Sequence, residues 1–146
     1  MIFALVFVMM LVYSRIEPNV KDVDMNYVMT HKDLPGHVLL DVRAEEIYWG
    51  EPPFAGIPGG HIPGAINFPI MDLNVAAASA ALAKVGVTKD RTIIIYCNTG
   101  AQAGRFADAL VRRFNFSPSR LKNYRGGVRD WITNPENILI TDGDEY

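Results

Sequence analysis

Ile93, Ile94, Ile95 and Tyr96 are apolar in immediate succession. A run with no polar face fits a strand covered on both sides. Residues 37–42 repeat the pattern with Val38, Leu39, Leu40 and Val42, and this second buried strand ends in Asp41. Short stretches at 20–23, 65–68 and 120–124 predict three further strands. Between them the spacing changes to that of helices. Residues 105–114 place apolar side chains at helical intervals. Asp24 is suited to cap a brief helix over 25–30, and Asp72 one over 73–85 that Gly86 ends. A helical turn is expected at 44–49, and a helix at 128–133 after the Gly126-Gly127 turn. Leu34-Pro35-Gly36 reads as a turn and 115–119 as a loop. Strands alternating with helices predict an α/β domain: a mainly parallel central sheet with helices on both faces.

Four stretches stand outside this alternation. Residues 1–13 carry no charge and are apolar all round, so they do not form a surface helix. As a helix they would span only ~20 Å, short of ~30 Å of bilayer hydrocarbon, and they lack the basic n-region of a signal peptide. The expectation is burial in a membrane or against a membrane-protein partner, with self-docking as the alternative. Arg15, Lys21 and Lys32 follow, which places the domain on the cytoplasmic side; the alternative is a soluble cytoplasmic protein. Residues 14–19 read as a linker and 20–133 as the folded domain. Residues 50–60 hold three prolines and four glycines and form a long connection leading to His61. Within and before it, Tyr48, Trp49 and Phe54 either wall a pocket or cover the core. Residues 134–146 are an acidic tail whose apolar patch, Ile138-Leu139-Ile140, is able to dock back.

Composition adds bounds. A chain of 146 residues with 49% hydrophobic and 21% charged positions is long enough for one domain with a proper core. A net charge of −2 gives no reason to expect nucleic acid. One cysteine excludes an internal disulfide, and no histidine or acidic residue lies at metal-ligand spacing from His61. Neither metal nor cofactor is expected.

That cysteine, Cys97, falls directly between the 93–96 strand and the following helix. Ligands of open α/β sheets bind at this edge, and a helix N-terminus favours thiolate over thiol. The bland alternative is a core cysteine. Asp41, Arg43, Glu45 and Glu46 cluster past the other buried strand, which suggests an ion-pair network tying loops together. His61 reads as a loop histidine bonded to backbone rather than a catalytic base. His31 sits in a polar stretch and reads as solvated.

Three stretches together carry a resemblance. Cys97-Asn98-Thr99-Gly100-Ala101-Gln102 resembles the active-site loop of the rhodanese family of sulfurtransferases. Leu39-Leu40-Asp41-Val42-Arg43, with Gly60-His61-Ile62-Pro63-Gly64-Ala65 further on, resembles the family's first signature. Tyr124-Arg125-Gly126-Gly127-Val128-Arg129-Asp130-Trp131 resembles its second. The resemblance implies a rhodanese-like fold and a single-domain sulfurtransferase. Cys97 would carry sulfane sulfur as a persulfide, taken from thiosulfate or a related donor such as mercaptopyruvate. A thiol or cyanide would accept it. Asn98, Thr99, Gly100, Ala101 and Gln102 would form a cradle of backbone N–H groups. Asp41 and Arg43 would play the structural part they play in the family.

One departure is visible. Many single-domain members have arginine where this chain has Gln102, and Arg105, one helical turn on, is placed to replace it in part. Two rival readings remain. Phosphatases of the same fold use a cysteine followed by five residues and an arginine, but the sixth position here is Ala103. Non-catalytic rhodanese-like domains serve as scaffolds or accessory subunits of membrane complexes; the presence of Cys97 argues for chemistry.

Overall fold

The computed structural model describes residues 20–143. The apolar segment 1–13 and the linker 14–19 lie outside them. Among the described residues no helix is long and apolar enough to cross a membrane.

The elements alternate as the pattern predicts. β1 (Lys21–Val23) leads into α1 (Met25–His31), then β2 (His37–Asp41) and α2 (Glu45–Trp49). β3 (Ile66–Asn67) is followed by a 3₁₀ segment (Ile70–Asn74) and α3 (Ala78–Lys84). β4 (Thr92–Tyr96), α4 (Ala101–Phe114), β5 (Leu121–Tyr124) and α5 (Gly127–Trp131) complete the domain. The five strands form one sheet in the order β1-β5-β4-β2-β3, and every pairing is parallel.

Alternation along the central strands feeds two cores. Val38 and Leu40 of β2 and Ile93 and Ile95 of β4 face one side, where Leu82 of α3 and Phe106 and Leu110 of α4 cover them. Leu39, Ile94 and Tyr96 face the other side, against Val28 of α1, Tyr48 of α2 and Trp131 of α5. A strand with apolar groups on both faces is stable only between two helical layers, which is why this sheet is sandwiched. α4 shows the matching helical stripe, burying Ala103, Phe106, Ala107 and Leu110. Asp24 caps α1 as expected, its carboxylate accepting from the Tyr27 N–H at 2.9 Å.

Several boundaries move. The helix expected over 73–85 is two pieces, and Asp72 lies inside the 3₁₀ turn rather than capping α3. The first turn of α3 has no side-chain cap, so the alanine-rich run starts only at Ala78. α4 begins at Ala101, four residues ahead of the periodic stretch, because left-handed Gly100 serves as its N-cap. His31 is not simply solvated: its ring stacks on Tyr27 at 3.9 Å between centroids.

The tail docks. Ile140 and His61 exchange backbone hydrogen bonds of 2.8 and 2.9 Å, and the Trp131 indole N–H donates to the Ile138 carbonyl at 3.0 Å. Leu139 joins the second core while Ile138 stays 63% exposed.

Candidate active site

β2 and β4 are neighbours whose onward connections run in opposite directions across the sheet, one to β3 and the other to β5. The carboxyl ends of two such strands leave a crevice where open α/β sheets bind ligands. Asp41 ends β2 and Tyr96 ends β4, paired in register. Arg43 and Cys97 are the residues that emerge there.

Cys97 is 2% exposed and its Sγ accepts a hydrogen bond from the Gly100 N–H at 3.1 Å. The loop has this shape because its carbonyls are held elsewhere. The Val128 N–H donates to the Cys97 carbonyl at 3.0 Å, and the Arg129 N–H to the Asn98 carbonyl at 3.1 Å. The first turn of α5 thus takes up the oxygens on the loop's outer side. The Gly100 amide is left turned toward the sulfur. Two glycines make this possible. Gly127, at φ +62°, lies so near that a Cβ would stand 2.5 Å from the Cys97 carbonyl oxygen. Gly100, at φ +94°, would put a Cβ 2.4 Å from the Arg125 carbonyl oxygen.

Arg43 is the second fixed point. It is 1% exposed and paired with buried Asp41, its Nε donating at 2.9 and 3.1 Å to the two carboxylate oxygens. Its Nη2 donates to the Gly60 carbonyl at 2.6 Å, and its Nη1 to Asn98 Oδ1 at 3.2 Å. One guanidinium therefore ties the first signature, the 50–60 connection and the cysteine loop together. Burial works against its charge, but hydrogen bonding and attraction from Asp41 outweigh it and raise its pKa. Tyr96, fully buried below, has its pKa pushed well up by desolvation and by the charge of Asp41. Its neutral hydroxyl accepts from the Ile62 N–H at 3.0 Å. The expected four-membered charged cluster is in fact a pair. Glu45 and Glu46 are exposed in the first turn of α2, and among the described residues only Asp41 pairs with Arg43.

His61 is 5% exposed, with Nδ1 3.0 Å from the Tyr48 carbonyl and its ring stacked on Tyr48 at 3.7 Å. Its contacts are to the tail and to α2, not to Cys97. Tyr48 and Trp49 pack around this histidine, and Phe54 is 48% exposed in its own small bridge with Ile57.

The remaining loop residues divide. Thr99, Gly100 and Ala101 line one wall of an open cleft of ≈ 600 Å³, with Arg105 beside them. Gln102 is exposed on the first turn of α4 and does not line that cleft. The opposite wall comes from β1 and β5: Asp22, Asn123 and Arg125. Sequence reasoning did not connect these residues to the site. Asp22 and Asn123 meet only because β1 and β5 pair across 101 positions of chain. Among the described residues no group of three or more His, Cys, Asp or Glu side chains is arranged to hold a metal ion.

Comparison with known proteins places the chain in a family. The thiosulfate sulfurtransferase of Azotobacter vinelandii is 33% identical over 104 residues, covering 66% of this chain and 37% of the relative. The human thiosulfate:glutathione sulfurtransferase is 32% identical over 101 residues, covering 64% of this chain and 77% of the relative. An anaerobic ergothioneine biosynthesis enzyme from Chlorobium limicola superposes with a TM-score of 0.75 at 17% identity, over 84% of this chain and 28% of that one, which shows the fold alone. The chain spans less than half the length of the bacterial relatives it matches. The family model described as "Rhodanese-like domain" matches residues 24–134, from the cap of α1 to just past the second signature. A buried cysteine in an amide-lined loop, held between the Asp41–Arg43 corner and the Gly126-Gly127 turn, is set in a chain that belongs to the rhodanese-like domain family.

Proposed function

We propose that the protein is a sulfurtransferase that carries sulfane sulfur on Cys97. The observation that bears most weight is the hydrogen bond from the Gly100 amide to Sγ at 3.1 Å, in a loop whose carbonyls point away into α5. A sulfur atom that accepts a backbone N–H is suited to hold negative charge, as thiolate or as persulfide. The names of the Azotobacter and human relatives point to the same chemistry.

In the first half-reaction the Cys97 thiolate attacks the outer sulfur of thiosulfate. A new S–S bond forms, the original S–S bond breaks, and sulfite leaves with the electron pair. In the second, cyanide or a thiolate attacks the outer sulfur of the persulfide. That sulfur leaves with the acceptor, and Cys97 returns as thiolate. No cofactor enters either half. Mercaptopyruvate is an alternative donor. The neutral, exposed Gln102 supplies no cation for an anionic donor, whereas Arg105 stands on the cleft wall next to Thr99 and Gly100.

Intact mass after incubation with thiosulfate or mercaptopyruvate tests the reading. The expected result is a gain of one sulfur atom, absent in Cys97→Ser and removed by cyanide with release of thiocyanate. The donor that loads faster is the better candidate for the physiological one. Failure of every sulfane donor to load the intact protein would overturn the enzyme reading in favour of a scaffold.

A further inference from the structure

Residues 135–142 lie past the end of the family match at 134, yet they are bonded back onto the segment that leads to His61. Ile140 and His61 exchange two backbone bonds, at 2.8 and 2.9 Å, and the Asp142 N–H donates to the Trp49 carbonyl at 3.0 Å. Leu139 packs against the second core. The fit is close: a Cβ at Gly60 would stand 2.8 Å from the Ile140 carbonyl oxygen. A side chain at position 60 would lift the tail from its seat, so this seat requires glycine.

The residues that the tail holds are one end of a run of contacts that reaches the sulfur. Gly60 precedes His61, and its carbonyl accepts from Arg43 Nη2 at 2.6 Å. Nη1 of the same guanidinium donates to Asn98 Oδ1 at 3.2 Å. Asn98 adjoins Cys97, and its own carbonyl is held by the Arg129 N–H at 3.1 Å. Two residues on, the Gly100 N–H donates to Sγ at 3.1 Å. A guanidinium is planar and keeps its donors in a fixed fork. Displacing the Gly60 carbonyl therefore turns the whole plane about the Asp41 carboxylate and carries Nη1 off Asn98. Arg43 is 1% exposed, so solvent does not readily make good a lost acceptor.

We propose that the docked tail is a strap that sets the place of Cys97, and that Ile140 is its positioning residue, acting through its backbone rather than its side chain. By holding His61 it fixes the Gly60 carbonyl and with it the tilt of the Arg43 plane. That plane fixes Asn98 and the turn that aims the Gly100 amide at the sulfur. The effect on sulfur loading rests on the sulfurtransferase reading above; the positioning does not.

Two substitutions in the full chain separate a strap from a merely stabilising tail. Ile140→Pro removes the N–H that donates to His61 and leaves every residue of the cysteine loop unchanged. Leu139→Ala removes side-chain carbons from the second core and keeps the backbone bonds of Ile140. The NMR signals of the Arg43 Nε–H and the Gly100 amide are expected to move in Ile140→Pro and to stay in place in Leu139→Ala, although both variants lose stability. Loading of Cys97 by thiosulfate is expected to slow roughly fivefold in Ile140→Pro, in maximal rate and not in half-saturating concentration, as the loss of one hydrogen bond implies. Asn98→Ala cuts the same run of contacts at its other end, so adding Ile140→Pro to it should slow loading by less than about twofold more. If Ile140→Pro fails to fold, Asp142→Pro, which removes the bond to the Trp49 carbonyl, takes its place, and the same two signals are expected to move. Unmoved Arg43 and Gly100 signals in the proline variant, equal movement in Leu139→Ala, an unchanged loading rate, or effects of Ile140→Pro and Asn98→Ala that multiply would each overturn the proposal. If no donor loads the unmodified protein, the sulfurtransferase reading fails and the NMR comparison still decides the strap.

Discussion

The two sides of the cysteine loop are built to opposite specifications. On the inner side, Asp41 and Arg43 are 0% and 1% exposed, and the guanidinium donates to a carboxylate, to the Gly60 carbonyl and to Asn98. On the outer side, Arg105 has no partner among the described residues, and Arg125 holds Asp22 at 3.4 Å in water. Both sides use arginine near the same sulfur. The inner one is a structural tie whose geometry is over-determined. The outer pair is loosely held, free to reorganise around a ligand. A buried, fully bonded guanidinium fixes where the thiol stands, and exposed ones can only choose what approaches it.

The largest effect that breaks this comparison is loss of the inner tie. Arg43→Met leaves the Asp41 carboxylate buried without its counter-charge, which costs about 3–5 kcal/mol when a buried pair is halved. Chemical denaturation should show a shift of that size. Replacing Arg125 by Gln at the exposed pair should move the same midpoint by less than ~1 kcal/mol. Equal effects at the two arginines would show that the inner and outer sides do not differ as described.

The second effect concerns the turn that holds the loop's carbonyls. Gly127→Ala puts a Cβ at 2.5 Å from the Cys97 carbonyl oxygen, on a backbone at φ +62°. Left-handed strain alone costs of order 1–3 kcal/mol, and the contact with backbone adds to it. Destabilisation of at least ~2 kcal/mol is expected, together with slower loading of Cys97, because the Val128 N–H shifts away from the carbonyl it holds. Gly36→Ala is the control: its φ is also positive, at +76°, but nothing lies within 4 Å of the added Cβ. It should lose stability without losing loading rate.

How much of this was readable beforehand follows the same inner and outer division. β4 was legible because Ile93 to Tyr96 have no polar face, and α1 because Asp24 is a capping residue in the right place. The thiol's position was legible because it follows directly from that strand. The start of α4 was not: Gly100 caps it by conformation alone, and no side-chain signal marks it. The split before α3 was hidden too, since alanine spacing shows helix preference but not where an uncapped first turn gives way to 3₁₀ structure. Glu45 and Glu46 looked like partners of Arg43, yet α2 turns them outward and leaves Asp41 alone inside. The cleft was the least legible part. Asp22, Arg105 and Asn123 are scattered along the chain, and only parallel pairing of β1 with β5 gathers them beside α4.

The smallest effect sharpens the outer side. Gln102 is exposed on the first turn of α4, where many single-domain members of the family have arginine. Gln102→Arg adds a cation on the first turn of α4, beside the cysteine loop, and should improve thiosulfate as donor. The gain is bounded by solvent: an exposed charge pair contributes ~0.2–1 kcal/mol, so kcat/KM should rise no more than about fivefold. The rise should appear at low salt and shrink at higher ionic strength, because exposed charges are screened. It should also be larger in Arg105→Gln than in the unmodified protein if both positions serve the same anion. An increase independent of salt would mean that the new side chain works by shape rather than charge. No increase in either background would mean that Gln102 does not face the donor.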